Sequence, residues 1–330
     1  MSKITVLDPG LKDHQGLPSL NLGDVIISEA VQEELRQMFP GSEIIPISSH
    51  TLLEEKHIRL IKESDMCFVG GTNLLSSDAM AFRGMPLSDK KFIYLFPPVT
   101  NLVLMGVGWG FGYQQPVRFK TRLFYKRLLS RQKMHACRDE YSTNKLNRAT
   151  SVKTINTCCP TTWKLRSPIN YRMNNYTDCV LTLTDYSKDT VKDSELIETI
   201  LENFSKVFFF PQGSGDKEYL ESLDIYKKNA SRFVVLPHNY DESTSFLHSH
   251  PNLTYIGTRL HAGIRCMQLG MDTLIIGVDN RALEIHNDTL LPVIKRNDQD
   301  RMNRWLKGDK IFEPVKLPLE NISIWKNQFL

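Results

Sequence analysis

The strongest constraint on this chain is a repeated order of short apolar runs, loops and helices. Ile4–Leu7, Met66–Val69, Leu102–Val107 and Thr273–Ile276 are short and dominated by apolar residues. Strands of a parallel sheet are covered on both faces, so they read as continuous apolar runs rather than as alternation. A polar or glycine-bearing loop follows, and then a helix with apolar residues at helical spacing, as at Val25, Ile26, Ala30, Val31 and Leu35. Strand, loop and helix in that order build a doubly wound parallel sheet. The order runs from Ile4 to Thr157, lapses over the polar stretch Arg166–Thr177, and resumes at Cys179.

At 330 residues the chain exceeds one ordinary core and suits two domains. The lapse divides them at residues 1–168 and 178–330, with the polar stretch as linker. Thr273–Ile276 reads as the last strand. The tail with Trp305, Trp325 and Phe329 is expected to pack back across both domains as helix and loop. The fold expected is α/β, with two Rossmann-like doubly wound domains facing across a cleft, a GT-B-like arrangement.

A hydrophobic content of 41% with 24% charged residues is that of a soluble globular protein. The net charge of +4 suits an anionic ligand or a loose peripheral association with an anionic membrane face. The helix expected over Phe119–Leu129 carries Lys120, Arg122, Lys126 and Arg127, which read as a solvated face. No basic run has interleaved aromatics, which argues against nucleic acid. The first strand starts at Ile4 without a charged and then apolar leader, and no apolar stretch reaches the ~20 residues that span a bilayer. The expected location is therefore the cytoplasm. The six cysteines have neither zinc-site nor redox-pair spacing and read as buried free thiols.

Thr258-Arg-Leu-His-Ala-Gly263 is the candidate reaction centre. Arg259 and His261 fall where a strand hands over to a helix. The first-turn N–H groups of a helix lack intrahelical partners and hold phosphate or carboxylate well. Arg259 adds a planar fork of donors for such an anion, with the Leu260 amide beside it. His261 adds a proton carrier near neutral pH. Gln212 and Arg281 end other strands on the same sheet edge; Arg281 reads equally well as an ion pair with Glu284.

In the first half, Asn21-Leu-Gly-Asp24 and Gly70-Gly71-Thr72-Asn73 follow strands, where open α/β sheets bind ligands. Asp24 and Asn73 also suit helix capping. Glycine stands at every second position from Gly106 to Gly112, which is not a dinucleotide fingerprint. Trp109 sits among those glycines, where it could face a sugar ring or fill core. No metal-ligand cluster is visible.

Taken together, Thr258-Arg-Leu-His-Ala-Gly263, Leu269-Gly-Met and Asp279-Asn-Arg-x-x-Glu284 resemble the C-terminal signature of polysaccharide pyruvyl transferases. Asn21-x-Gly-Asp24, Gly70-Gly-Thr-Asn73, Gly106-Val-Gly108, Arg138-Asp-x-x-Ser142 and Pro211-Gln212 resemble that family's weaker motifs, in order. The resemblance implies transfer of a pyruvyl group from phosphoenolpyruvate to two hydroxyls of a saccharide, within bacterial capsule or exopolysaccharide synthesis. It implies His261 as acid, and Arg259, Leu260, His261, Arg281 and Gln212 around the donor. Asn21, Asp24, Gly71, Thr72, Asn73 and Trp109 are the acceptor-side candidates. The implied partners are phosphoenolpyruvate as co-substrate, with no further cofactor and no metal, and a free or lipid-linked saccharide at the inner face of a membrane. The oligomeric state is open.

One departure bears on the donor. Members often carry an arginine at the end of the second domain's first strand, where this chain has Thr182-Leu-Thr-Asp185. Asp185 repels an anion, so Lys188, Arg281 or another cation must compensate, or the donor differs. A GT-B glycosyltransferase using a nucleotide-sugar and a non-catalytic sugar-binding relative are the alternatives.

Overall fold

A computed structural model of the protein describes residues 2–79, 97–165 and 176–330. Residues 166–175, most of the expected linker, lie outside the described residues. The chain forms two compact units. One comprises Met1–Ser19, Asp24–Trp163 and Leu317–Leu330; the other comprises Leu20–Gly23 and Lys164–Lys316.

In the first unit the strands are β1 (Lys3–Asp8), β2 (Glu43–Ser48), β3 (Met66–Gly70), β4 (Leu102–Met105), β5 (His135–Cys137) and β6 (Thr154–Asn156). Four make a parallel sheet ordered β2-β1-β3-β4, and β5 pairs with β6. A bridge between Val107 and Cys137, with the Gly106 amide donating to the Ala136 carbonyl at 2.9 Å, carries the pairing on from the end of β4 to β5. The core on one side of the sheet includes Leu7, Val69, Leu104, Phe124, Leu128 and Trp109. His135 joins β4 to the loop after the helix Phe119–Leu128. Its Nδ1 accepts from the Leu104 amide at 3.2 Å, so Nε2 carries the proton and donates to the Ser130 carbonyl at 2.8 Å.

In the second unit the strands are β7 (Asp178–Thr182), β8 (Lys206–Phe209), β9 (Phe233–Val235), β10 (Thr254–Gly257), β11 (Thr273–Gly277) and β12 (Val293–Lys295). All pair in parallel in the order β12-β11-β10-β7-β8-β9. This is the Rossmann order, and its switch point lies between β7 and β10. A ligand in such a sheet sits outside the carboxyl ends of the two strands that flank the switch, here Thr182 and Gly257.

Three details differ from the sequence reading. Thr273–Ile276 is not the last strand; β12 adds three residues at the sheet edge, too few for a periodic signal. The helix expected over Lys217–Tyr226 breaks at Leu223, which is extended and buried, leaving Asp216–Ser222 and Asp224–Asn229. The tail is shared: Trp305 is core of the second unit, whereas the helix Leu319–Asn327 belongs to the first. There the Trp325 indole donates to the Met134 carbonyl at 2.9 Å, and Lys326 pairs with Glu34. The six cysteines are all buried and unbridged. No helix among the described residues is long and apolar enough to cross a membrane.

Candidate active site

The switch point of the second unit is built around Thr182, Tyr255 and Gly257. A side chain at Gly257 would put Cβ 2.2 Å from Thr182 Oγ1, so β7 and β10 approach this closely only with glycine there. The Thr258 amide donates to the Thr182 carbonyl at 3.0 Å and the Arg259 amide to Thr182 Oγ1 at 3.2 Å. The buried Tyr255 hydroxyl donates to the Arg259 carbonyl at 2.8 Å. Arg259 is thereby fixed in an extended conformation at the N-cap of the helix Leu260–Gln268, with no side-chain cap. Gly263 lets that helix lie against β11, since a Cβ there would stand 2.5 Å from Ile275 Cγ1.

Asn21, Gly23, Tyr186, Gln212, Arg259, Leu260, His261 and Arg281 surround one small recess of about 20 Å³. That is room for about one water molecule. Every donor-side residue expected from sequence is therefore gathered here. Asn21 is gathered too, although it was expected on the acceptor side of the first domain. The Leu22 amide donates to the Gln212 carbonyl at 2.8 Å, which ties Leu20–Gly23 into the second unit. His261 is buried and its Nδ1 faces Gly23, 3.6 Å from where a Cβ would stand.

The open cationic grip expected of Arg259 needs correction. Its guanidinium is already held by two carboxylates. Nε donates to Asp216 Oδ2 at 3.1 Å and to the Leu183 carbonyl at 3.2 Å. Nη2 donates to Asp185 Oδ1 at 2.8 Å and pairs with Asp216 Oδ1. Among the described residues no acceptor meets Nη1. Asp216 is 0% exposed and also accepts from the Asp185, Gln212 and Gly213 amides, so it is a fixed counter-ion. Gly213 and Gly215 make room for this pairing: a Cβ would stand 2.4 Å from Arg259 Nη2 and 2.7 Å from Asp185 Oδ2, respectively.

Asp185 thus pairs with Arg259, an arrangement that local sequence did not reveal because its partner is far along the chain. Lys188 does not compensate for it at the recess; its ammonium lies over the Tyr219 ring, 5.4 Å from the centroid. Arg281 pairs with Asp279, the N-cap of its own helix, and donates to the Tyr186 hydroxyl. The Tyr186 ring has Arg259 Cζ at 4.9 Å and Arg281 Cζ at 5.4 Å from its centroid. Tyr186 is 56% exposed and forms the outer rim of the recess. Sequence reading missed it; a lone tyrosine in a turn carries no local signal.

Gln212 stands out chemically. It is 0% exposed, yet neither Oε1 nor Nε2 has a hydrogen-bond partner. Leaving such a group unpaired costs ~1–3 kcal/mol. A carboxamide offering one acceptor and two donors into a recess beside His261 is what a small polar ligand would satisfy.

The expected acceptor residues of the first unit are dispersed in role. Gly71 is buried where a Cβ would meet Pro160 Cδ at 3.0 Å, and the Thr72 carbonyl accepts from the Gly108 amide at 2.9 Å. Asn73 Oδ1 is buried without a partner, and no described helix starts at Asn73 for it to cap. Asp24 lies in the first turn of the helix Leu22–Met38, accepts from Ser19 Oγ at 3.3 Å and lies 3.6 Å from His50 Nε2. That contact raises the His50 pKa. Trp109 is not a sugar platform: it is 0% exposed, donates to Ser77 Oγ at 3.2 Å and packs edge-on to Tyr125. Among the described residues no cluster of His, Cys, Asp and Glu could hold a metal ion.

A family model for polysaccharide pyruvyl transferase matches residues 21–280, a span containing both expected strand-end blocks and the whole recess except Arg281. The chain belongs to the polysaccharide pyruvyl transferase family. No curated protein matches this transferase in sequence. Among solved structures it is similar to the UDP-GlcNAc 2-epimerase of Methanocaldococcus jannaschii, at 12% identity over 99% of this chain and 98% of that one, with a TM-score of 0.52. It is also similar to UDP-N-acetylglucosamine 2-epimerase from Rickettsia bellii, at 13% identity over 99% and 95% of the two chains, with a TM-score of 0.51. At these identities the likeness is one of fold, which is GT-B-like, with two Rossmann-like units in one transferase chain.

Proposed function

We propose that the protein transfers the pyruvyl group of phosphoenolpyruvate onto two hydroxyls of a saccharide, forming a cyclic ketal and releasing phosphate. The observation that carries this reading is the buried, unpartnered Gln212 carboxamide beside His261 and Arg259 at the switch point of the second sheet.

In this scheme the donor's anionic groups meet Arg259 Nη1, the Leu260 amide at the helix start and the Gln212 Nε2–H group. His261 gives its proton to C3 of the enol, and positive charge develops at C2. The first saccharide oxygen bonds to C2 and its proton returns to the histidine. The C2–O bond to phosphate then breaks, with the electron pair leaving on phosphate. The second hydroxyl oxygen closes the ketal and releases its proton. Two hydroxyl protons are lost: one balances the proton gained at C3 and the other departs with phosphate or solvent. The chemistry requires no further cofactor.

A recess of about 20 Å³ is too small for phosphoenolpyruvate. In this reading the donor binds over the mouth of the recess, with the exposed Tyr186 and its partner Arg281 at its rim. Melting with and without phosphoenolpyruvate tests the donor, since a ligand bound only by the native state raises the transition. Phosphate release with a panel of saccharide acceptors tests the reaction. His261→Gln should retain the donor-induced shift and abolish turnover. Turnover at the wild-type rate in that variant removes His261 from the mechanism.

A further inference from the structure

The basic helix Phe119–Leu128 plays no part in the recess at the switch point. It borders three cavities of the first unit. The largest, about 660 Å³, is lined by Gln115, Arg122, Tyr141, Asn144, Lys145 and Arg148, among others. A second of about 370 Å³ is lined by Lys126, Arg131 and Lys153, and a third of about 560 Å³ by Asn101, Lys126, Arg127 and Arg131. The last two share Lys126 and Arg131. The first and second lie at the end of the same helix, lined by the consecutive residues Ala149 and Thr150. Seven cations thus line these three recesses. Among the described residues no aspartate or glutamate lines any of the three.

We infer that this basic surface of the first unit binds an acidic saccharide chain. The inference rests on the proposed reading of the acceptor as a saccharide and adds that it carries negative charge. The lining of the first recess favours such a chain. Asn144 and Arg148 lie on one exposed face of the helix Glu140–Thr150, where Asn144 Nδ2 donates to Glu140 Oε1 at 2.9 Å and its carbonyl oxygen remains an acceptor. Carboxamides pair with sugar hydroxyls and cations with carboxylate or phosphate substituents. Lys145 Nζ donates to the Tyr141 hydroxyl at 3.0 Å and to the Gly112 carbonyl at 3.3 Å, and stands 4.6 Å from the Trp109 ring centroid. It also donates to the Tyr113 carbonyl, and burial lowers its pKa to about 8, so Lys145 braces the wall of the first recess while Arg122 and Arg148 carry its outward charge.

A bilayer surface fits less well. The helix Phe119–Leu128 turns Phe124, Tyr125 and Leu128 into the core, leaving Phe119 as its exposed large apolar group. An interfacial helix needs an apolar face to bury in lipid.

The test uses the full chain and two probes of equal length, hexagalacturonate and the neutral maltohexaose, with binding followed by calorimetry. Hexagalacturonate should bind, and more weakly as salt rises. The double variant Arg122→Gln and Arg148→Gln should bind it roughly tenfold or more weakly, the sum of exposed ion pairs. Lys126→Gln, Arg131→Gln and Lys153→Gln should act in the same direction. Both variants should keep the wild-type melting temperature and phosphoenolpyruvate shift. Absence of hexagalacturonate binding, or equal binding by both variants, overturns the inference. So does binding of vesicles containing phosphatidylglycerol that the variants lose while hexagalacturonate remains unbound. Failure of phosphoenolpyruvate to stabilise the wild type speaks instead against the donor reading, so the two failures are distinguishable.

Discussion

Arg259 Nη2 lies 2.8 Å from Asp185 Oδ1, and the same guanidinium is paired with Asp216. One arginine therefore faces two carboxylates at the switch point where an anionic donor is proposed to bind. Asp216 is buried and held by backbone amides, whereas the Asp185 side chain is 26% exposed and is the one able to yield. Asp185→Asn removes one competing charge while keeping a side chain of the same shape. We expect phosphoenolpyruvate to bind about three- to tenfold more tightly, the modest size set by solvent screening. Titration calorimetry reads this directly, and weaker binding would show that Asp185 positions Arg259 rather than competing for it.

Gln212→Leu separates stability from function. The wild-type carboxamide is buried without partners, so an apolar side chain of similar size should raise stability by about 1 kcal/mol. For a domain of this size that is a rise of roughly 2–4 °C in Tm. Donor binding should fall at least tenfold in the same variant. A lower Tm with unchanged donor affinity would mean that Gln212 serves the core and not the ligand.

Gly213→Ala should damage the site through geometry alone. The added Cβ would stand 2.4 Å from Arg259 Nη2, so the guanidinium or the loop has to move. Overpacking of this kind costs about 1–3 kcal/mol. We expect a lower melting temperature and a weaker phosphoenolpyruvate-induced shift, measured in the same scan. A wild-type response to phosphoenolpyruvate would uncouple the pairing geometry from donor binding.

His135 makes the first unit sensitive to acid. It is buried as the neutral Nε2–H tautomer, and burial pushes its pKa down to about 4 from the ordinary 6.5. Between those values the unfolded chain binds the proton and the folded chain does not. Stability from this group is therefore present above pH 6.5 and is lost as pH falls towards 4. The full loss is on the order of 3 kcal/mol. Chemical denaturation across this range should show the decline, and His135→Gln should flatten it. An equal slope in that variant would assign the acid sensitivity to other groups.

The chain's local pattern was enough to read two doubly wound parallel sheets, because strand burial and helix amphipathicity are written residue by residue. It was enough to place Arg259 and His261 at a strand-to-helix junction, because such a junction has a local signature and its residues are consecutive. Asn21 and Trp109 show where local reading stopped. Asn21 follows the first strand in sequence yet joins the recess at His261, and Trp109 sits among glycines yet fills core. The ion pairing of Arg259 was beyond local pattern as well. Asp185 and Asp216 lie 74 and 43 residues away, and only the strand order β10-β7-β8 brings the three together. Apolar periodicity acts between neighbours in the chain and is visible there. Ion pairing, burial of a polar amide and the room left for a ligand depend on which distant segments meet, and those were decided by the fold.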